Sequence, residues 1–456
     1  MKFLFVVRNP SFFTQYEGVV NDLCERGNKV HFLLYSLVWK NWRMGDEALS
    51  EFKAKSGGLF DYEQIPDSFG LLDRVLKAKR SLVNYAGYLK NKNPISTSPY
   101  LISRAKNLLP ATIGKLVSFN PVKKFIASEF FLKVGEWIEG VAPLNKVALR
   151  LLKKIEPDAV IASPFIFPNS KEIEYIKCAR ELGIPTAALI FSWDNLTTKG
   201  LFQFHPDSVI VWNKLQVKEL VEIHNVEEEK TVSVGAPSLD YWFGRKPTRT
   251  YEQFCEEANL PPSRPFIIYL CSSQNIAKDE NVFADEFISY LRKSLGDECP
   301  SILVRPHPMN QDIWEGFNAE GTVVYPRENR TAYAPRSRAD FFDTLYHSSC
   351  IVGLNTTAII EAAIVGKPCV TLISSRYSST QSDTRHFNLL LDAGFLYVAN
   401  DFAEAQEAIT LIIAGGDKTG DKRYKFVNEF IRPLGMSQPV APILGKTLEG
   451  LANQQN

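Results

Sequence analysis

Arg305-Pro306-His307-Pro308 sets a guanidinium and an imidazole beside two prolines, directly after the apolar run Ser301-Ile302-Leu303-Val304. Proline fixes φ and stiffens a turn, so Arg305 and His307 would be held at a strand end with little freedom. Two such groups suit a compact anion, above all a diphosphate. A second group is Gly353-Leu354-Asn355-Thr356-Thr357, which runs into Ala358-Ile359-Ile360-Glu361 and closes with Gly366-Lys367-Pro368. Here an apolar strand ends in an amide and two hydroxyls. Thr356 or Thr357 would cap the helix that follows, whose first N–H groups and dipole attract negative charge. Glu361 falls about one turn into that helix on the side of Thr357, within reach of a ligand hydroxyl such as a ribose. The loop Ser272-Ser273-Gln274 follows the run Phe266-Ile267-Ile268-Tyr269-Leu270. It is a weaker anion-site candidate, with an ordinary polar loop as the equal reading.

Earlier in the chain, Phe191-Ser192-Trp193-Asp194-Asn195 follows another apolar run. A carboxylate beside an aromatic ring at a strand end suits a general base when burial raises its pKa toward neutrality. A turn or cap residue is the other reading of Asp194. Asn9 and Ser11, in the loop after the opening strand, join Trp193 and Asn195 as candidate acceptor-side groups; a plain βα turn is their alternative. No G-x-G-x-x-G or G-x-x-x-x-G-K-[ST] is present, the six histidines form no H-x-x-x-H pair, and no Asp-x-Asp occurs. Any transfer chemistry would then use protein cations and helix ends, with no metal and no resident cofactor.

These loops need elements to hold them. Apolar strands are expected over residues 2–8, 29–35, 158–162, 186–191, 208–212 and 231–234. Helices are expected at 14–26, 171–182 and 215–224. Residues 244–265, with Gly244, Pro247, Pro261, Pro262 and Pro265, read as a linker containing one short helix. The alternation restarts with strands at 266–270, 301–304, 322–325, 350–354, 368–373 and 396–399. Between and after them come helices at 282–295, 340–347, 357–365 and 402–414. Apolar strands joined by amphipathic helices make parallel sheets covered on both faces, with ligands at the carboxyl ends of the strands. With 456 residues the chain exceeds one core. The expected fold class is α/β: two doubly wound Rossmann-like halves. Their expected extents are an N-terminal domain over 1–243 and a donor-binding domain over 266–430. The segment 431–456 would pack back on the first domain.

Residues 77–154 break the alternation. They hold fifteen lysines and arginines against three glutamates, a surplus of twelve positive charges in a chain whose net charge is only +1. A helical insert over 72–155 is expected, read either as solvated helix faces packed on the first domain or as a surface for an anionic membrane or polyanionic acceptor. The near-neutral total argues against a nucleic-acid partner. Seven scattered cysteines with no C-x-x-C pair fit reduced thiols in the cytosol. The opening apolar run is too short for a signal-peptide core, and no run reaches the ~18 residues of a bilayer span. A cytoplasmic location is expected, in one reading peripheral on the inner face of the cytoplasmic membrane.

Taken together, Gly235-Ala236-Pro237-Ser238-Leu239-Asp240, Arg305-Pro306-His307-Pro308, Asn355-Thr356-Thr357 through Glu361, and Gly366-Lys367-Pro368 resemble the nucleotide-sugar glycosyltransferases of the GT-B fold. The likeness covers residues 1–40 and 155–415, without the basic insert. Within that superfamily the Arg-Pro-His-Pro strand end resembles the CDP-glycerol glycerophosphotransferases and the capsule sialyl- and Kdo-transferases, where a His-Pro pair contacts the activated donor. The resemblance implies two domains facing a cleft, with a nucleotide-sugar or CDP-alditol donor near Arg305, His307, Ser272, Ser273, Gln274, Asn355, Thr356, Thr357 and Glu361. It implies a polysaccharide or lipid-linked acceptor near Asp194, and a transferase of surface-polymer assembly. A nucleotide-sugar 2-epimerase of the same fold and a non-catalytic membrane adaptor are the rival readings.

Overall fold

The computed structural model describes residues 1–35, 45–65, 70–90, 98–168, 170–326 and 335–453. They group into two compact units, one from Met1–Asp240 with Phe430–Asn456 and one from Tyr241–Glu429.

The first unit is built on β1 (Lys2–Val7), β2 (Lys29–Leu34), β3 (Phe60–Gln64), β4 (Ala159–Ser163), β5 (Thr186–Leu189), β6 (Ser208–Val211) and β7 (Thr231–Ser233). All pair in parallel, in the order β3-β2-β1-β4-β5-β6-β7. Successive residues of β1 point to opposite faces. Phe3, Phe5 and Val7 therefore pack with Phe13, Tyr16, Phe32 and Phe60, while Leu4 and Val6 pack with Leu33, Leu152, Ile155 and Ile176. Apolar residues on both faces are what a sheet covered on both sides requires. The helix Gly45–Lys55 and the edge strand β3 were not expected, because Asp61 and Glu63 interrupt the apolar pattern on a strand with only one neighbour.

Between β3 and β4 lies the basic insert. It folds as helices Leu71–Leu89, Pro99–Asn107, Ala111–Leu116, Asn120–Ile126, Glu129–Val141 and Lys146–Ile155. It has a small core of its own around Tyr85, Ala86, Leu101, Ala105, Val117 and Ile126. Lys79 and Arg80 point inward, where both bind the fully buried Glu139, at 2.6 and 2.5 Å. Lys177, on the helix Glu172–Glu181 beneath, joins them at 3.3 Å, and Arg80 also reaches Glu174.

The chain returns to the first unit after Phe430. The helix Val440–Asn453 lies on the helix Ser11–Glu25, held by Arg26–Glu449 at 2.8 Å. Asp240 caps its start, accepting from Val440 N and Ala441 N at 2.8 and 3.1 Å, and it also pairs with Arg432. Gly235 has φ of 103°, and a Cβ there would lie 2.8 Å from the Ile431 carbonyl oxygen and 2.7 Å from Val440. Both ends of the Gly235 to Asp240 motif thus serve to seat the returning segment.

The second unit repeats the design with β8 (Phe266–Leu270), β9 (Ser301–Arg305), β10 (Thr322–Val324), β11 (Ile351–Gly353), β12 (Cys369–Leu372) and β13 (Leu396–Ala399). The order is β10-β9-β8-β11-β12-β13, again parallel. Residues 241–265 belong to this unit. The helix Tyr251–Ala258 starts at a Thr250–Gln253 capping box, and Phe254 stacks on Phe266. All seven cysteines are buried and unbridged. None of the described helices is long and apolar enough to cross a membrane.

Candidate functional site

In the second sheet β9, β8 and β11 are neighbours, so the loops leaving their carboxyl ends lie side by side. Two residues past each strand stands one of the expected polar groups: His307 after β9, Ser272 after β8 and Asn355 after β11. The loops are tied together. Cys271 N donates to Arg305 O at 3.1 Å, Asn310 Nδ2 to Ala277 O at 3.1 Å, and Asn355 N to Ser272 Oγ at 3.4 Å. Asn355 Nδ2 donates to Thr380 O at 2.8 Å, which brings in the loop after β12. Ser273 is half-buried and Gln274 is exposed on the same loop as Ser272.

His307 Nδ1 accepts from Met309 N at 3.1 Å, which leaves the ring proton on Nε2. Burial lowers the imidazole to about 4, so at neutral pH it is an uncharged donor. Two carboxyls on the adjoining helices are shifted the other way. Burial raises Glu361 to about 7, with contact to the Trp242 indole offsetting part of the rise. Burial raises Glu280 to about 8. Glu280 Oε2 accepts from Ser272 N at 2.7 Å, so it holds the β8 loop in place. Glu280 was not singled out from the sequence; an acid eight residues after a strand-end serine carries no motif. Thr357 occupies the cap position of the helix Ala358–Ile364 but makes no side-chain cap bond; Thr356 Oγ1 faces Ala358 N at 3.5 Å.

The Arg305 guanidinium is engaged within the protein. Nη1 pairs with Asp340 Oδ2 at 2.8 Å and donates to Thr344 Oγ1 at 3.0 Å, with the Phe341 and Tyr325 rings against it. Asp340 also accepts from Arg249 at 2.9 Å and from Tyr325 OH at 2.5 Å. Burial alone would raise this carboxyl, but Arg305, Tyr325 and Arg249 together hold it below its ordinary value. Arg305 therefore fastens the helix Pro335–His347 to the end of β9. Asp340→Ala would leave the buried Arg305 without its carboxylate, while the half-buried Arg249 keeps Asp343 and Glu257, and should cost roughly 3–5 kcal/mol in chemical denaturation.

In the first unit the loops after β1, β4 and β5 also meet at one edge. Asn195 Nδ2 donates to Ile166 O at 2.8 Å, and Arg8 Nη1 to Pro168 O at 3.3 Å. Trp193 and Asn195, expected to face an acceptor, are buried. Asn9 Oδ1 accepts from Ser11 N at 3.1 Å and from Ser11 Oγ, which starts the helix Ser11–Glu25 as an Asx turn. Asp194 accepts from Ser192 Oγ at 2.6 Å and Thr198 Oγ1 at 2.9 Å, and pairs with Lys199 at 3.1 Å. Asp194 stands at the N-cap of the helix Asn195–Thr198, where its side chain makes no cap bond. The same unit holds a cavity of about 90 Å³ between the insert and the sheet edge, lined in part by Tyr35, Arg80, Asn84, Phe165, Lys171 and Glu174. Among the described residues no group of three or more His, Cys, Asp or Glu is placed to hold a metal.

The sequence matches no protein-family model, and no curated protein matches it significantly. Its fold is similar to solved structures along nearly the whole chain. A UDP-GlcNAc 2-epimerase from Methanocaldococcus jannaschii aligns over 99% of this chain and 100% of its own, at 11% identity and a TM-score of 0.55. The Neisseria meningitidis UDP-GlcNAc 2-epimerase bound to UDP-GlcNAc aligns over 99% and 100%, at 12% identity and 0.52. The S. aureus MnaA–UDP structure aligns over 99% and 97%, at 12% identity and 0.51. The chain thus has a GT-B-like fold of two Rossmann-like α/β domains. The likeness corrects the expected tie to CDP-glycerol and capsule sialyl- and Kdo-transferases, and with it the expected transferase. Short strand-end motifs serve the activated, anionic part of a substrate, and that part is common to enzymes that transfer a sugar and enzymes that isomerise it.

Proposed function

We propose that the protein is a nucleotide-sugar 2-epimerase acting on a UDP-linked N-acetylhexosamine, with the nucleoside diphosphate held at the carboxyl edge of the second sheet. The observation that carries this is the placement of His307, Ser272 and Asn355 on three adjacent strand ends. Its support is a fold shared along nearly the whole chain with UDP-GlcNAc 2-epimerases, one of them bound to UDP-GlcNAc.

Inverting C2 of a sugar breaks one C–H bond and forms another on the opposite face. No atom is lost and no acceptor is consumed. What the protein must supply is a base that takes the C2 proton from one face and an acid that returns one to the other, a fixed grip on the nucleotide, and stabilisation of the charge that builds on the diphosphate as its bond to C1 breaks and then re-forms. The neutral His307 donates from Nε2 to a diphosphate oxygen. The Ser272 and Asn355 loops set the phosphate position through their mutual hydrogen bond. Glu361, when ionised, accepts from hydroxyls of the nucleotide ribose.

The direct test is incubation of the purified protein with UDP-GlcNAc in deuterated water. The C2 epimer should form, with deuterium at C2 of the sugar, read by proton NMR. Neither isomer nor label from UDP-, GDP- or CDP-linked sugars would sink the proposal, and absence of any melting-temperature rise with those ligands would favour an adaptor.

Glu361 gives this reading a pH signature. With a pKa raised to about 7, only the fraction ionised above that value is ready to accept a hydroxyl. The wild-type KM should therefore fall as pH rises through neutrality, by about tenfold per pH unit on the acid side. Glu361→Gln should raise KM and remove that slope. A variant that keeps the slope would show that another group titrates.

A further inference from the structure

The helix Glu129–Val141 buries a charge and leaves large apolar side chains outside. Its inward face carries Gly135 and the charged Glu139, both buried. A Cβ at Gly135 would lie 2.6 Å from Val83, so this face is pressed close against the helix Leu71–Leu89. Its outward stripe carries Phe130, Trp137 and Val141, spaced by seven and four residues and hence on one side of the helix. Phe130 is 68% exposed and Trp137 66%. Phe131 and Leu132 already pack inward on the insert's core, so the outward stripe is apolar surface that the fold does not use.

The two short helices before it, Ala111–Leu116 and Asn120–Ile126, extend the exposed apolar surface with Leu116, Phe119 and Phe125. Phe119 is 64% exposed, and the Phe125 ring meets Phe131 at 5.8 Å, which joins the helices into one surface. Clustered exposed aromatics of this kind mark an interaction site. Exposed Lys115, Lys123, Lys124 and Lys133 rim it. Of the acids on this stretch, Glu139 is buried in its own ion pairs, Glu129 is paired with Lys90 at 3.0 Å, and Glu136 is half-buried.

We propose that these three helices seat the protein on a bilayer surface containing anionic phospholipid. Phe119, Phe125, Phe130 and Trp137 would enter the headgroup–acyl boundary, with the lysines at the phosphates. Charge decides the occupant. A second copy docked on the same face would set lysine rim against lysine rim. An anionic bilayer meets both halves of the pattern, since aromatic rings settle at the interface and lysines at the charged headgroups. None of the described helices crosses a membrane, so the attachment is peripheral. The proposal stands independently of the epimerase reading.

The test is flotation of the full-length protein with phosphatidylcholine vesicles and with vesicles that also contain phosphatidylglycerol. Binding is expected to the mixed vesicles, weakening as salt is raised. Lys123→Glu with Lys124→Glu should weaken it by about 25-fold or more. Phe130→Ser with Trp137→Ser should weaken it by roughly tenfold or more. Phe119→Ser with Phe125→Ser replaces that pair if it fails to keep the wild-type melting temperature. Three results would each overturn the proposal: no binding to phosphatidylglycerol vesicles at low salt, binding indifferent to both kinds of folded variant, or a lipid-free dimer in sedimentation that disappears with Phe130→Ser and Trp137→Ser.

Discussion

His307→Ala is expected to lower epimerisation by roughly a hundredfold to a thousandfold, the usual cost of removing one preorganised donor from a site of developing charge. The ring is held by Met309 N on Nδ1 and by the prolines on either side, so its Nε2 proton has little choice of direction. Because burial lowers the imidazole to about 4, it enters the reaction uncharged, and His307 itself should show no titration between mild acid and neutrality. The melting temperature should barely move, since the main loss to the fold is one hydrogen bond worth about 1 kcal/mol. His307→Gln, which keeps an N–H of similar reach, should recover part of the activity. A well-folded His307→Ala enzyme working at the wild-type rate would remove His307 from the site, whatever the identity of the substrate.

A large stability effect is expected at Glu139. Burial by itself would raise this carboxyl, yet the hydrogen bonds and charges of Arg80 and Lys79 hold it at about 2. Glu139→Ala leaves Lys79, Arg80 and Lys177 without the carboxylate they share, and should cost roughly 3–5 kcal/mol. Glu139→Gln keeps the shape and one acceptor and should cost less. The sign of the pH dependence follows from the shift. The native carboxyl has the lower pKa, so the unfolded chain binds more protons in acid. The stabilisation, about 3 kcal/mol, is complete above the ordinary carboxylate value of 4.5 and is lost as pH falls toward 2. Urea titrations of wild type and Glu139→Gln at neutral and acid pH should therefore converge in acid. Parallel curves would show that Glu139 is not the group responsible. The same cluster connects stability to the proposed membrane face, since Glu139 anchors the helix that presents Phe130 and Trp137.

The strand ends were legible before any coordinates. Apolar runs closed by polar turn residues place His307, Ser272 and Asn355 at comparable positions, and parallel pairing then makes those positions neighbours. Arg305 was not legible in the same way. It stands two residues from His307, yet its partner Asp340 lies on a helix that follows the next strand. Trp193 and Asn195 have the composition of ligand contacts and the burial of packing residues. The motifs that suggested a transferase do not fix a reaction, and the fold likeness includes UDP-GlcNAc 2-epimerases.

What the sequence by itself determined is local. Hydrophobic period, turn residues and the lysine excess of residues 77–154 reveal the two α/β halves, the polar ends of their strands and the intruding basic insert, because each depends on near neighbours in the chain. What only the tertiary structure decided is which charges meet and which faces are left uncovered. Glu139 draws Lys79, Arg80 and Lys177 inward, Arg305 turns to Asp340, and Trp137 is left outside. Those outcomes depend on burial and on partners far away in the chain, since a buried charge is tolerable only where packing supplies its counterion.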